Sequence, residues 1–173
     1  PGTSCSSHRV IVLTLDGTGA AATDDGLVVS YGVGQGTIIR GLAITNWDNA
    51  IELLAGSNHV VECTNLGNNA AGTTAAGNTR GVFVSNANSA LIGGTTAAHR
   101  IIISGNGSGI FANGSGQDLE ISANYIGTNA GGTAAVANAT GIVRSAHGNT
   151  EIGGTLAGER NVVSGNTSYG IHL

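Results

Sequence analysis

The sequence predicts a right-handed parallel β-helix, an all-β solenoid of about six rungs, and three observations lead there. Ile92-Gly93-Gly94-Thr95, Arg100 and Ser104-Gly105-Asn106 return sixty residues later as Ile152-Gly153-Gly154-Thr155, Arg160 and Ser164-Gly165-Asn166. The same offset aligns the loop Gly67–Thr73 with Gly127–Thr133. Insertions as well as strands therefore keep their place, as they do in a stacked repeat. A shorter period lies inside the long one: Ala50-Ile51, Gly81-Val82, Gly109-Ile110, Gly141-Ile142 and Gly170-Ile171 recur at spacings of 31, 28, 32 and 29 residues, so two kinds of coil alternate. The third observation is compositional. Thirty glycines and one proline among 173 residues, with β-branched clusters such as Val10-Ile11-Val12 and Ile101-Ile102-Ile103, describe short strands joined by tight turns.

In chain order, residues 1–25 are an N-terminal arm and first rung, and residues 26–173 are the repeating rungs of one domain. Val10 to Leu15 reads as rung strand, and Gly26-Leu27 opens the next coil. Each coil then carries three short apolar runs, for example Ile110-Phe111-Ala112, Leu119-Glu120-Ile121-Ser122 and Tyr125-Ile126, separated by Gly and Asn turns. Strands this short, with no hairpin dipeptide between matched partners, pair with the same strand of the next rung, in parallel.

Alternation places Leu119 and Ile121 inward with Glu120 and Ser122 outward, and Val61 and Cys63 inward against Val60 and Glu62. Ile51, Val82, Ile110, Ile142 and Ile171 form one inward stack, with Cys63 and Ala123 inward on another wall. Asn106, Asn124 and Asn166 close apolar runs, where left-handed turns and amide bonds between stacked side chains are expected; Asn46 is a candidate extension. Extra residues form the loop Gly67 to Arg80, repeated as Gly127 to Thr140, and a shorter one, Thr95 to His99, repeated as Thr155 to Glu159. With strands about 4.8 Å apart, loops on alternate rungs recur at about 9.6 Å. That lateral array, marked by Asn69, Thr73, Asn129 and Thr133, is where sideways recognition of a partner is expected.

Composition excludes several functions. Charged residues are 9% of the chain, with six Arg and Lys in total and a net charge of −4, so nucleic-acid binding lacks its electrostatic basis. No apolar run reaches the length of a membrane helix. His8, His59, His99, His147 and His172 have no metal-ligand spacing, and the Gly-Gly pairs are followed by Thr instead of the Ca²⁺-binding nonapeptide pattern, so neither metal nor cofactor is expected. Asp16-Gly17-Thr18-Gly19, with neither a following helix nor a second copy, is a turn. Asp24-Asp25, the one adjacent acidic pair, offers an acid and a base or part of a Ca²⁺ site, but it precedes Gly26 at a rung start, where Asp is an ordinary turn residue. Arg100 and Arg160 occupy equivalent places, which favours a repeated structural task, such as neutralising turn carbonyls. Sequons fall at Asn106, Asn113, Asn138 and Asn166. Cys5 and Cys63 fit either one disulfide in an exported protein or two unrelated thiols.

The segments GTIIRGLAITN (residues 36–46), NYIGTNAGGTA (124–134) and IGGTLAGERNVVSGN (152–166), with Gly81-Val82-Phe83-Val84, resemble the right-handed parallel β-helix repeats of large secreted or surface-attached bacterial proteins. The resemblance covers nearly everything after Asp16. It implies a pectate-lyase-like solenoid in an extracellular or cell-surface setting, in a group whose members often have no assigned activity. The motifs of the β-helix polygalacturonases do not transfer: only Asp24-Asp25 and His147-Gly148 match fragments of them, Ala146 stands where the first glycine belongs, and lysine is absent.

Strand edges at Val10, Val12 and Leu15, and at Val162, Val163 and Ile171, carry no polar cap in the sequence. The chain is therefore expected to be a segment of a longer surface protein or to stack on copies of itself. A head-to-tail contact of that kind does not close and grows into a filament. A structural, self-assembling protein is the leading reading. A carbohydrate-binding or adhesive module and a polysaccharide-degrading enzyme are the alternatives.

Overall fold

The computed structural model describes residues 11, 13–30, 36–146 and 148–173. Cys5, Val10, Val12 and His147 lie outside the described residues.

The architecture is a parallel β-helix. Strand β1 (Leu13–Asp16) precedes coils made of β2 (Leu27–Val29), β3 (Ile38–Arg40) and β4 (Leu42–Thr45); β5 (Asn49–Leu53), β6 (Val60–Glu62) and β7 (Asn65–Leu66); β8 (Arg80–Val84), β9 (Leu91–Gly93) and β10 (Ile102–Ile103); β11 (Ser108–Ala112), β12 (Leu119–Ser122) and β13 (Tyr125–Ile126); and β14 (Thr140–Arg144), β15 (Thr150–Ile152) and β16 (Val162–Val163). Strand β17 (Tyr169–His172) begins the coil after that. The strands stack in three parallel sheets: A, of order β1-β4-β7-β10-β13-β16; B, of order β2-β5-β8-β11-β14-β17; and C, of order β3-β6-β9-β12-β15.

The expected inward stack is in register. Leu27, Ile51, Val82, Ile110, Ile142 and Ile171 are successive partners in sheet B. The middle four are fully buried, whereas Ile171, on the outermost strand of the sheet, is 43% exposed. Three of the small residues before them have a steric cause: a Cβ at Gly81, Gly109 or Gly141 would come within 2.5 Å of the carbonyl oxygen one rung on. Cys63 and Ala123 are buried as expected, at sheet C–A corners, both with positive φ (55° and 64°).

A ladder of asparagines runs up one corner. The side-chain Nδ2 of Asn78 donates to Asn106 Oδ1 (2.9 Å), Asn106 to Asn138 (3.0 Å) and Asn138 to Asn166 (2.9 Å). The same oxygens accept backbone N–H groups of Asn78 and Asn106, and each Nδ2 also donates to a carbonyl in sheet A. The expected amide stacking is therefore present, with Asn78 and Asn138 as members that the periodicity did not single out.

Three expectations need correction. The left-handed residues are Gly105, Ala123 and Gly165 (φ 87°, 64° and 75°), each one place before Asn106, Asn124 and Asn166; the turn needs a small residue, which leaves the asparagine to aim its amide along the axis. Asn124 belongs to another corner, where it accepts from Ile101 N and donates to Ile92 O, while Asn161 Oδ1 accepts its backbone N–H. Asn46 has the expected left-handed φ (64°) but does not extend the ladder. It donates to Asp16, and Trp47 N–H takes the ladder place by donating to Asn78 Oδ1.

Alternation sets the side a residue faces, but folded-back loops cover some outward residues and one inward position is not apolar. Ser122, expected outward, is fully buried beneath the chain leaving β9, its hydroxyl within hydrogen-bond reach of Gly94 O (3.1 Å) and Glu120 Oε1 (2.9 Å). Glu62 is buried beside the 3₁₀ turn Ala97–His99, with His99 Nε2 at 4.0 Å and Arg40 Nη1 at 3.4 Å. Arg144 interrupts the inward column of Leu53, Val84 and Ala112; its Nη2 reaches Gly148 O, and its Nε is buried without a partner among the described residues.

Two outcomes follow from this packing. Ile110→Ala should cost about 2–5 kcal/mol in urea unfolding, because rigid rungs above and below cannot close on the cavity. Asn138→Ala should cost about 1–3 kcal/mol for each buried donor of Asn106 left unpaired, whereas Asn129→Ala, in an exposed loop, should cost less than half as much. Equal losses at Asn138 and Asn129 would show that the ladder is not a source of stability.

Candidate functional site

The outer face of sheet B carries the row of side chains least explained by the fold. Because Ile51, Val82, Ile110 and Ile142 point inward, their C-terminal neighbours point out. In register these are Val28, Glu52, Phe83, Phe111, Val143 and His172. A second outward row runs Asn49, Arg80, Ser108, Thr140 and Tyr169. Phe83 and Phe111, the chain's two phenylalanines, are half-buried on this face although the core is built from aliphatic residues. Their rings meet edge to face at 5.7 Å, and the Arg80 guanidinium lies 5.1 and 5.3 Å from the two centroids. Further along, Tyr169 stacks on His172 at 5.1 Å, and Phe111, Val143, Arg144, Ser145, His172 and Leu173 line an open depression of about 230 Å³.

Polar groups gather at the other end of the row. Asp25 Oδ1 accepts both the backbone N–H (2.9 Å) and the side-chain amide (2.8 Å) of Asn49. Arg80 Nη1 donates to Asn49 Oδ1 (3.0 Å) and pairs with Asp48 at 3.5 Å. Burial, then a hydrogen bond and the charge of Asp25, push the Glu52 carboxyl above its ordinary value, against the opposing pull of Arg80. The arrangement is a mixed set of donors and acceptors beside aromatic rings, with the chemistry of a binding surface.

The other residues singled out in the sequence are occupied structurally. Asp24 caps its own turn, its carboxylate accepting Ala21 N–H. Asn69 Oδ1 accepts Thr73 N–H (2.9 Å) and Asn129 Oδ1 accepts Thr133 N–H (3.0 Å), so the polar groups of the lateral loops close the loops themselves. The loops also join each other, Ala130 N–H donating to Gly72 O at 2.8 Å. Arg100 bonds the turn carbonyl of Ala123 and lies 3.8 Å over the Tyr125 ring. Glu120 and Glu151 are register neighbours beside Asp118 in an open cleft of about 370 Å³. Among the described residues no group of three or more His, Cys, Asp or Glu side chains is placed to hold a metal ion. Cys63 is disulfide-bonded. Asn106 and Asn138, at two of the sequons, are buried in the ladder.

No family model, curated protein or solved structure matches this chain.

The Phe83–Phe111 row was not identified from sequence, although the signal was there. Each phenylalanine directly follows an inward Val or Ile, so period-two alternation alone places both outside.

A carboxyl whose pKa is raised in the folded chain supports folding at acid pH and withdraws that support as pH rises from 4.5 through the raised value. Glu52→Gln should remove this loss. The variant's melting temperature should exceed the wild type's at neutral pH and converge on it in acid, and superimposable pH profiles would contradict the assigned burial of Glu52.

Proposed function

We propose that this chain is a structural, non-catalytic section of a secreted or cell-surface β-helix that grows along its axis, further rungs being supplied head to tail by a second copy. Continuity of the stack carries this reading. The column from Ile51 to Ile171 and the asparagine ladder from Asn78 to Asn166 pass through successive rungs. Asn166 accepts from Asn138 and donates to Ile126 O as its predecessors do to their own carbonyls. An incoming rung would pair with β16 and β17 and cover Ile171. The disulfide-bonded Cys63 supports an oxidising, extracytoplasmic setting. Support for a non-catalytic role comes from Asp24, whose carboxylate closes its own turn.

The test is the assembly state by sedimentation velocity and electron microscopy. The wild type should form filaments of one solenoid's width. Ile171→Asp, which places a charge where the next rung would stack, should leave monomers, while Thr133→Asp in the lateral loop should not interfere. A monodisperse wild-type monomer at high concentration would refute the proposal.

A further inference from the structure

We infer that Asn113 is a self-modification site: its carboxamide cyclises onto the backbone nitrogen of Gly114, loses ammonia and is hydrolysed, so that a carboxylate replaces a neutral amide at the turn after β11. The first observation is a comparison that the chain carries within itself. Asn-Gly-Ser occurs at Asn106-Gly107-Ser108 and again at Asn113-Gly114-Ser115, each after a small residue, Gly105 or Ala112. Local sequence therefore gives both asparagines much the same reactivity, and a difference between them is set by the fold.

The fold holds the first site shut. Asn106 Oδ1 accepts from Asn78 N (3.1 Å) and Nδ2 (2.9 Å), and its Nδ2 donates to Leu66 O (3.0 Å) and Asn138 Oδ1 (3.0 Å), which uses the whole hydrogen-bonding capacity of the amide. The nitrogen that would attack is tied as well, Gly107 N–H donating to Asn78 O at 3.1 Å. At 3% exposure Asn106 is also shielded from the water that completes the reaction.

The second site lacks each of these restraints. Asn113 is half-buried, and among the described residues neither its carboxamide nor Gly114 N–H has a hydrogen-bond partner. The backbone ladder ends one residue earlier, where Asn113 N–H donates to Val84 O (2.9 Å), and Gly114 then turns at φ 112°. A side chain at Gly114 would meet Ser85 O at 2.5 Å, so the corner requires the one residue that leaves the attacking nitrogen uncovered.

Attack by Gly114 N on Asn113 Cγ forms the N–Cγ bond of a succinimide and breaks Cγ–Nδ2, the nitrogen leaving as ammonia with the proton of Gly114 N–H. Water then opens the ring at either carbonyl carbon, giving aspartate, or isoaspartate with the main chain routed through the side-chain carbon. Either product adds one negative charge at the residue after Ala112, whose register partner Arg144 has its Nε buried without a partner among the described residues. The new charge thus arises one rung from a guanidinium, whose opposite sign favours it.

The experiment incubates the folded full chain in mildly alkaline buffer and follows each asparagine by peptide mapping, with mass spectrometry that separates isoaspartate from aspartate. Asn113 is expected to convert at least about tenfold faster than Asn106, since the ladder must open before Asn106 can react and Asn113 needs no such opening. In urea the two rates should converge. Asn113→Gln, whose longer side chain closes the ring poorly, should remove the early acidic form seen on isoelectric focusing while leaving the thermal melt unchanged. The inference is overturned if the two Asn-Gly sites convert at equal rates in the folded chain, if Asn106 converts first, if the acidic form persists in Asn113→Gln, or if neither site converts in the folded chain although both do in urea.

Discussion

Each strand from β4 to β14 obtains its hydrogen bonds from the rung above and the rung below, the outer strands from one neighbouring rung, and nearly everything else follows from that dependence. Backbone groups buried without partners are costly, so a coil of two- to five-residue strands has no stable form alone. Rungs must repeat at a fixed rise of about 4.8 Å, and a side chain can vary only if its neighbours directly above and below tolerate the change. Ile over Val over Ile is one solution. Gly over Gly over Gly, where the next carbonyl lies 2.5 Å from any Cβ, is another. The sixty-residue period is the record of these vertical constraints.

Corners are harder than faces, because the chain leaves the ladder there with donors unsatisfied. The asparagines solve this by replacing a backbone partner with a side-chain one. Asn138 Oδ1 takes two donors from Asn106, its Nδ2 serves the Ile103 carbonyl and the next asparagine, and the pattern passes on unchanged. Insertions enter this corner where an asparagine, Asn78 or Asn138, still returns to the ladder. The loops after β7 and β13 are anchored at their roots and closed by Asn69 and Asn129, and contact between Gly72 and Ala130 turns two separate insertions into one lateral ridge.

The fold was legible in the sequence because solenoid geometry acts on single residues at fixed offsets: the small residue before each inward Ile or Val, the Ser-Gly-Asn corners and the repeated loops all point to one arrangement. What escaped was anything set by chain folding over the outside of a rung. Ser122 obeys alternation yet is buried, because Gly94 returns over it, and no local pattern announces that. Asn78 and Asn138 were hidden for a related reason: the loops before them displace the ladder residue from its usual distance after the strand. The Phe83–Phe111 row was legible in principle, but it becomes informative only once the register shows the two rings adjacent.

That register also separates the two roles the molecule can combine. Inward and corner positions are fixed by vertical repetition and carry no information about partners, since any departure costs stability. Outward positions on a sheet face feel only weak cross-strand preferences, and there the sequence is free to change from rung to rung. Sheet B uses that freedom: its outward row passes from Glu52 through Phe83 and Phe111 to Val143 and His172, while the inward row beside it stays aliphatic throughout. A row that varies where variation costs little, and holds half-buried aromatic rings beside Arg80 where the inward rows are aliphatic, is set by demands other than vertical repetition. The asparagine ladder and the phenylalanine row therefore answer different physical demands, one along the axis and one across it.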